Sequence, residues 1–187
     1  MRGIWKLFAA MTLLTAAAAF GQAGLTVHDL EIQRQYWLKK AAAGDVDAQF
    51  VMGDSYLNGR MNLPKDGLRA VEWLSKAAQR GHSDAQFELG KLYYFGLAGV
   101  AADGRESIRW LRSAEALAGL KARNRAFAQM LLATCYTTGF GMPKDDVEAV
   151  RWFRKAAESG DHLAEYRLGL CYLNGSGVPQ DDREASF

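Results

Sequence analysis

One pattern recurs four times along this chain and leaves few folds open to it. An alanine is followed five residues on by a small residue, then by a tyrosine and a glycine at intervals of three. The four copies are Ala48-Gly53-Tyr56-Gly59, Ala85-Gly90-Tyr93-Gly96, Ala128-Ala133-Tyr136-Gly139 and Ala164-Gly169-Tyr172-Gly175. A second half follows. Asp66 leads to Ala70, Trp73, Ala77-Ala78 and Gly81, and Asp145 leads to Ala149, Trp152, Ala156-Ala157 and Gly160. Asp103, Trp110 and Ala114 form a weaker copy, and Tyr36 to Gly44 is a stray copy of this half ahead of the first repeat. A period near 36 residues in two halves is the signature of a repeat array, in which each unit has too little core alone and must stack on the next.

Each half has helical periodicity. Ala70, Trp73 and Ala77 fall at i, i+3 and i+7, one face of a helix. Asp66, Asp103, Asp145 and Asp181 stand where an N-cap is needed, and Glu106, Glu148 and Glu184 lie three residues further on, as in a capping box. Pro64, Pro143 and Pro179 precede three of these aspartates by two residues and stop the first helix from continuing. Gly44, Gly81 and Gly160 close the second helices, where a positive φ is wanted. Gly53, Gly90, Ala133 and Gly169 recur at one helical position and let a neighbouring helix come close. Phe50, Phe87, Met130 and Tyr166 recur at another and read as core between repeats.

The first 23 residues read differently. Arg2 and Lys6 open a run from Leu7 to Phe20 that is apolar or small but for Thr12 and Thr15, with Gly21 and Ala23 after it. This order is that of a secretory signal peptide, cleaved after Gly21 or Ala23; an uncleaved anchor is the alternative, though the run is short for a bilayer. The chain would then be periplasmic or secreted, with no membrane insertion after cleavage. The whole chain has 23 basic and 21 acidic side chains, and loss of Arg2 and Lys6 leaves it neutral. A neutral chain with no basic run offers nucleic acid no electrostatic footprint.

The motif Ala-x-x-x-Leu-Gly-x-x-Tyr-x-x-Gly, then Pro-x-Asp, then Ala-x-x-Trp-x-x-x-Ala-Ala-x-x-Gly resembles the Sel1-like repeat, a relative of the tetratricopeptide repeats. The resemblance covers about residues 36–187. It implies an all-α, right-handed α-solenoid with a concave groove, and a scaffold or adaptor role in envelope processes, signalling or host interaction. The expected divisions are a leader (1–23), a capping half repeat (24–44), repeats at 45–81, 82–124 and 125–160, and a shortened fourth at 161–187. The link from the second repeat to the third is six residues longer, around Ala116 to Arg125, which predicts a longer helix or a bulge. The fourth repeat has only six residues after Asp181, so its end is expected to lack most of a second helix; a copy cut short is one reading of that.

If first helices line the concave face, the groove candidates are Asp47, Asp54 and Asn58, then Asp84, Lys91 and Tyr94, then Thr134, Thr137 and Thr138, then Leu170 and Asn174. That mixed polar surface suits a protein or peptide partner.

No catalytic set emerges. Cys135 and Cys171 occupy one position in adjacent repeats, roughly 10 Å apart by repeat stacking and beyond the ~7 Å reach of a disulfide, so two free thiols are expected over a bridge. His28, His82 and His162 lack a second ligand at metal spacing and read as turn residues. Gly139-Phe140-Gly141 and Gly175-Ser176-Gly177 fall between helices as turns, not phosphate loops, and the pairs Asp145-Asp146 and Asp181-Asp182 read as caps, not metal ligands. The expectation is no metal, no cofactor and no enzyme. The alternative is a weak β-lactam hydrolase like some cysteine-rich relatives, whose cysteine spacing this chain lacks.

Overall fold

A computed structural model describes residues 26–185; the leader and Ser186-Phe187 lie outside the described residues. Eight helices run through it: α1 (Val27–Ala42), α2 (Val46–Asn58), α3 (Gly67–Gln79), α4 (Ser83–Phe95), α5 (Gly104–Ala116), α6 (Ala122–Thr138), α7 (Asp146–Glu158) and α8 (His162–Asn174). The tightest partners are α2 with α3, α4 with α5 and α6 with α7. Each second helix then packs on the next first helix, and α4 also touches α6. This is the all-α solenoid that the repeat predicts.

The caps explain where helices begin. Asp66 and Asp145 each accept a bond from the N–H three residues on, both at 3.0 Å, and Asp103 accepts from Arg105 and Glu106. Asp181 caps a single turn in the same way. The position of these aspartates is fixed by the repeat tyrosines: the N–H groups of Asp66, Asp103, Asp145 and Asp181 donate to the carbonyls of Tyr56, Tyr93, Tyr136 and Tyr172 at 2.8–3.0 Å. First helices are capped too, by Asp45, His82 and Asp161. The expected glutamate half of the boxes is not formed. Glu106 instead binds Arg109 and accepts from the Trp110 indole, and Glu148 binds Arg151, because an arginine offers a stronger, charge-assisted bond. The reciprocal box sits at Thr26 and Asp29.

Small residues set the packing within a repeat. A methyl group at Gly53 would lie 2.6 Å from Leu74 Cγ, and one at Gly90 2.6 Å from Leu111 Cγ. Between repeats, backbone meets backbone. Gly67 N–H donates to the Ala98 carbonyl at 3.0 Å, and a methyl at Gly104 would lie 2.5 Å from the Gly141 nitrogen. Gly177 closes on Asp146 in the same way. The turn glycines Gly141 and Gly177 therefore also form the seams of the stack. A second stitch was not legible in the sequence: Gln49 Nε2 donates to the Ala41 carbonyl and Gln86 Nε2 to that of Ala78, tying each first helix to the end of the preceding second helix. Gln129 serves at the third junction, between Glu115 and Ser159.

The long link resolves as both alternatives at once. Leu117 is extended, a short loop follows, and α6 has 17 residues where α2, α4 and α8 have 13. Arg125 bonds back to the Leu117 carbonyl, and Asn124 reaches Asp84 at 3.2 Å.

The two ends differ. On α1, Glu31 and Arg34 stand where α3 has Gly67 and Ala70, and they form an ion pair. Leu38, in the place of fully buried Leu74, is 41% exposed. At the other end, Leu163, Tyr166 and Leu173 of α8 are exposed. Tyr166 corrects the core expectation. Phe87 and Met130 are buried and Phe50 is half-buried against the His82 ring, but Tyr166 is 63% exposed, since no described helix follows α8 to cover it.

Candidate functional site

The first helices α2, α4 and α6 enclose a groove of about 490 Å³. Its apolar lining is Leu57, Leu92, Phe95 and Phe127, with Leu97 and Ala98 from the loop after α4; its polar lining is Asn58, Lys65, Glu88 and Lys91. Lys91 is held against Glu88 at 2.8 Å and lies 4.9 Å over the Phe87 ring. Asn58 bonds Asp54 at 2.7 Å, and Asp54 also pairs with Arg60. The charged groups are thus largely matched among themselves, and the apolar floor is what the groove leaves unmatched.

Of the candidates read from the sequence, the groove brings together Asn58 and Lys91, with Asp54 one bond behind. Asp84 is engaged by Asn124 from α6. Asp47 is exposed, 3.6 Å from His82 Nε2. His82 is no plain turn residue: it caps α4 and stacks on Phe50 with ring centres 4.5 Å apart. Thr134, Thr137 and Thr138 each donate to a carbonyl of their own helix. Tyr94 is half-buried, edge-on to Phe95 and Phe140, and burial raises its phenol above the ordinary range. Leu170 lines a separate cavity of about 360 Å³ beside Tyr166 and Leu173, and Asn174 is exposed at the end of α8.

Sequence reasoning named none of the apolar lining of the groove, and its chief omission is Phe95. It lies ten residues after Ala85, where the other repeats carry Asn58, Thr138 and Asn174. It is 49% exposed. The signal was available as a departure from the repeat, an aromatic at a position that is polar three times over.

The Sel1 repeat family model matches residues 35–46, 46–82, 83–118, 126–161 and 162–185. The chain belongs to the Sel1 repeat family. Among solved structures, a Sel1 repeat protein from Oxalobacter formigenes is 34% identical with a TM-score of 0.71, over 83% of this chain and 60% of that one. A protective antigen of uropathogenic Escherichia coli with the same repeat fold is 28% identical (TM-score 0.48, 94% of this chain, 44% of that one). Helicobacter pylori cysteine rich protein B is 24% identical (TM-score 0.51, 75% and 96%). This Sel1 repeat chain therefore spans 60% of the Oxalobacter protein and under half of the Escherichia antigen. No curated protein matches it.

Both cysteines are free thiols in this Sel1 repeat chain. Burial pushes Cys135 up to about 12, so it stays protonated and unreactive near neutral pH. The sign of the linkage follows. Below the ordinary thiol value of 9.0 the folded and unfolded chains are equally protonated at this site; above it the unfolded chain ionises first. Stability from this group is complete below pH 9 and is lost toward about 12. Guanidinium midpoints measured from pH 8 to 11 are expected to fall more steeply for the native chain than for Cys135→Ala. Iodoacetamide at pH 8 is expected to label half-buried Cys171 well ahead of Cys135. Among the described residues no three His, Cys, Asp or Glu side chains converge as a metal site, and no helix is long and apolar enough to cross a membrane.

Proposed function

We propose that this chain is a scaffold that holds a protein or peptide segment in the first-helix groove, anchored by an apolar side chain of the partner against Phe95, Leu57 and Phe127. The observation that carries this reading is Phe95: a half-exposed aromatic in a concave lining, where the fold itself is satisfied by asparagine or threonine in the other repeats. Sel1 repeats typically mediate protein–protein contacts, which supports the same assignment. Central aromatic anchors carry a large part of the binding energy at such surfaces. The leader-like order of residues 1–23 supports a periplasmic or secreted location, and cell fractionation would test it.

Phe95→Asn places in repeat 2 the residue that repeat 1 uses at this position, so the fold is expected to persist. A photo-crosslinking phenylalanine analogue at position 95 is expected to capture a discrete partner that the same analogue at exposed Leu68 on α3 does not. Phe95→Asn is expected to weaken that complex about tenfold or more, corresponding to about 1.4 kcal/mol or more. Equal labelling from both positions, or an unaltered complex with Phe95→Asn, would place the binding surface elsewhere. Turnover of nitrocefin by the purified chain would oppose a purely binding role.

A further inference from the structure

The second helices carry a feature that the repeat does not require. Counted from the capping aspartate, positions +2, +6 and +9 are Leu68, Glu72 and Ser75 on α3, and Val147, Arg151 and Arg154 on α7. On α5 all three are arginine: Arg105, Arg109 and Arg112. Spaced i, i+4 and i+7, they share one face of the helix. Leu68 and Val147 show that the +2 position is exposed in the other repeats, at 71% and 52%, so no packing demand selects Arg105.

The three arginines line a cleft of about 490 Å³ whose floor is Ile108, Gly141 and Met142. Ile108 is buried, and Met142 comes from the loop between α6 and α7. Two of the guanidinium groups are preset. Arg109 lies 4.4 Å from the Trp110 ring and pairs with Glu106 at 2.6 Å, and Arg112 donates to the Tyr136 hydroxyl. No described carboxylate pairs with Arg105 or Arg112, so two charges of the cleft are unneutralised on a chain nearly balanced overall. The cleft shares no residue with the first-helix groove.

We infer that this cleft is a second docking site, for an acidic peptide segment of a protein partner. Guanidinium forks match carboxylates in bidentate geometry, and the Ile108–Met142 floor accepts an aliphatic side chain between them. Arg105 and Arg112 are separated by about 10.5 Å along the helix axis. An extended segment rises about 3.3 Å per residue and alternates its faces, so two carboxylates four residues apart, with a leucine or isoleucine midway, share one face and lie about 13 Å apart, within reach of the two long arginine side chains. Two unneutralised charges and an apolar floor fit such a segment better than a polyanion, which binds through many phosphate contacts.

The test is fluorescence anisotropy on the full chain with a labelled peptide holding one leucine between two pairs of glutamates. Binding is expected to weaken as salt rises, and to weaken about tenfold with Arg105→Leu, which installs the residue of α3 at this position and so keeps the fold. Arg151→Glu on α7 is expected to leave binding unchanged, as is Phe95→Asn, which separates this site from the groove. Serine in place of the peptide's leucine is expected to weaken binding; glutamine in place of its glutamates is expected to abolish it. Equal affinity for the glutamine peptide, an unchanged affinity with Arg105→Leu, or tighter binding of a thymidine oligonucleotide or of phosphatidylglycerol vesicles than of the peptide would each overturn the assignment.

Discussion

Replacing Gly141 with alanine is expected to destabilise the folded chain by roughly 2–4 kcal/mol, the combined effect of a non-glycine residue at positive φ and of a steric clash that cannot relax. Gly141 has φ +79, and a methyl group there would lie 2.5 Å from the Arg105 backbone nitrogen. Both sides of the contact are main chain, so no rotamer change relieves it. For a domain of this size the loss corresponds to a fall in melting temperature of roughly 4–16 °C. Gly139 is the internal control. Its φ is +75, but the nearest atom to a methyl there is the Met142 carbonyl oxygen at 3.4 Å. Gly139→Ala is expected to cost only the conformational part, about 1 kcal/mol. Equal melting temperatures for the two variants would show that Gly141 is a turn residue and nothing more.

The site of that clash makes a further outcome specific. Gly141 belongs to the loop of the third repeat and presses on the start of α5 in the second. The buried residues form two clusters, one running from Ala41 to Trp110 and one from Phe87 to Leu168. A solenoid holds together through nearest-neighbour interfaces. Weakening the seam between the second and third repeats is therefore expected to broaden the denaturant transition as well as shift it, with a lower apparent m-value. A parallel shift at constant m would mean that the stack still unfolds as one unit.

How much of this was legible in the sequence depends on whether a feature repeats. The aspartate caps, the positive-φ glycines and the small residues facing Leu74 and Leu111 recur, and a recurring residue reports a demand of the fold. What does not recur was misread or missed. Tyr166 shares a register position with Phe87, yet what covers that position is the next first helix, such as Phe127 of α6 against Phe87, and α8 has none described after it. Gln49 and Gln86 recur at one position, but their partners are carbonyls at the end of the preceding helix, which side-chain periodicity does not reveal. Phe95 and Arg105 were visible as letters and lost within the pattern, because a reading that searches for agreement between repeats discards the positions where one repeat disagrees. Those positions are free of the fold's demands, which is why the groove and the cleft are built from them.

The same comparison between repeats yields a test of the packing rule itself. Gly90→Ala is expected to destabilise by about 1–3 kcal/mol, because the new methyl would lie 2.6 Å from both Cγ and Cδ2 of Leu111, a residue with no exposed surface. Leu111→Phe alone is expected to destabilise by about 1–3 kcal/mol through the extra volume it forces into a filled site. The third repeat pairs the two positions differently: Ala133 stands for Gly90, and Phe153 stands for Leu111, both buried. Phenylalanine's Cγ is trigonal and its two Cδ atoms lie in one plane with it, so the flat face of a ring leaves a neighbouring methyl more room than the tetrahedral Cγ of leucine does. Gly90→Ala combined with Leu111→Phe is therefore expected to be more stable than the sum of the two single changes predicts, with a coupling of about 1–2 kcal/mol in a double-mutant cycle. Strict additivity would mean that the glycine and the leucine are not fitted to each other, and that the small residue at this position serves the approach of the whole helix.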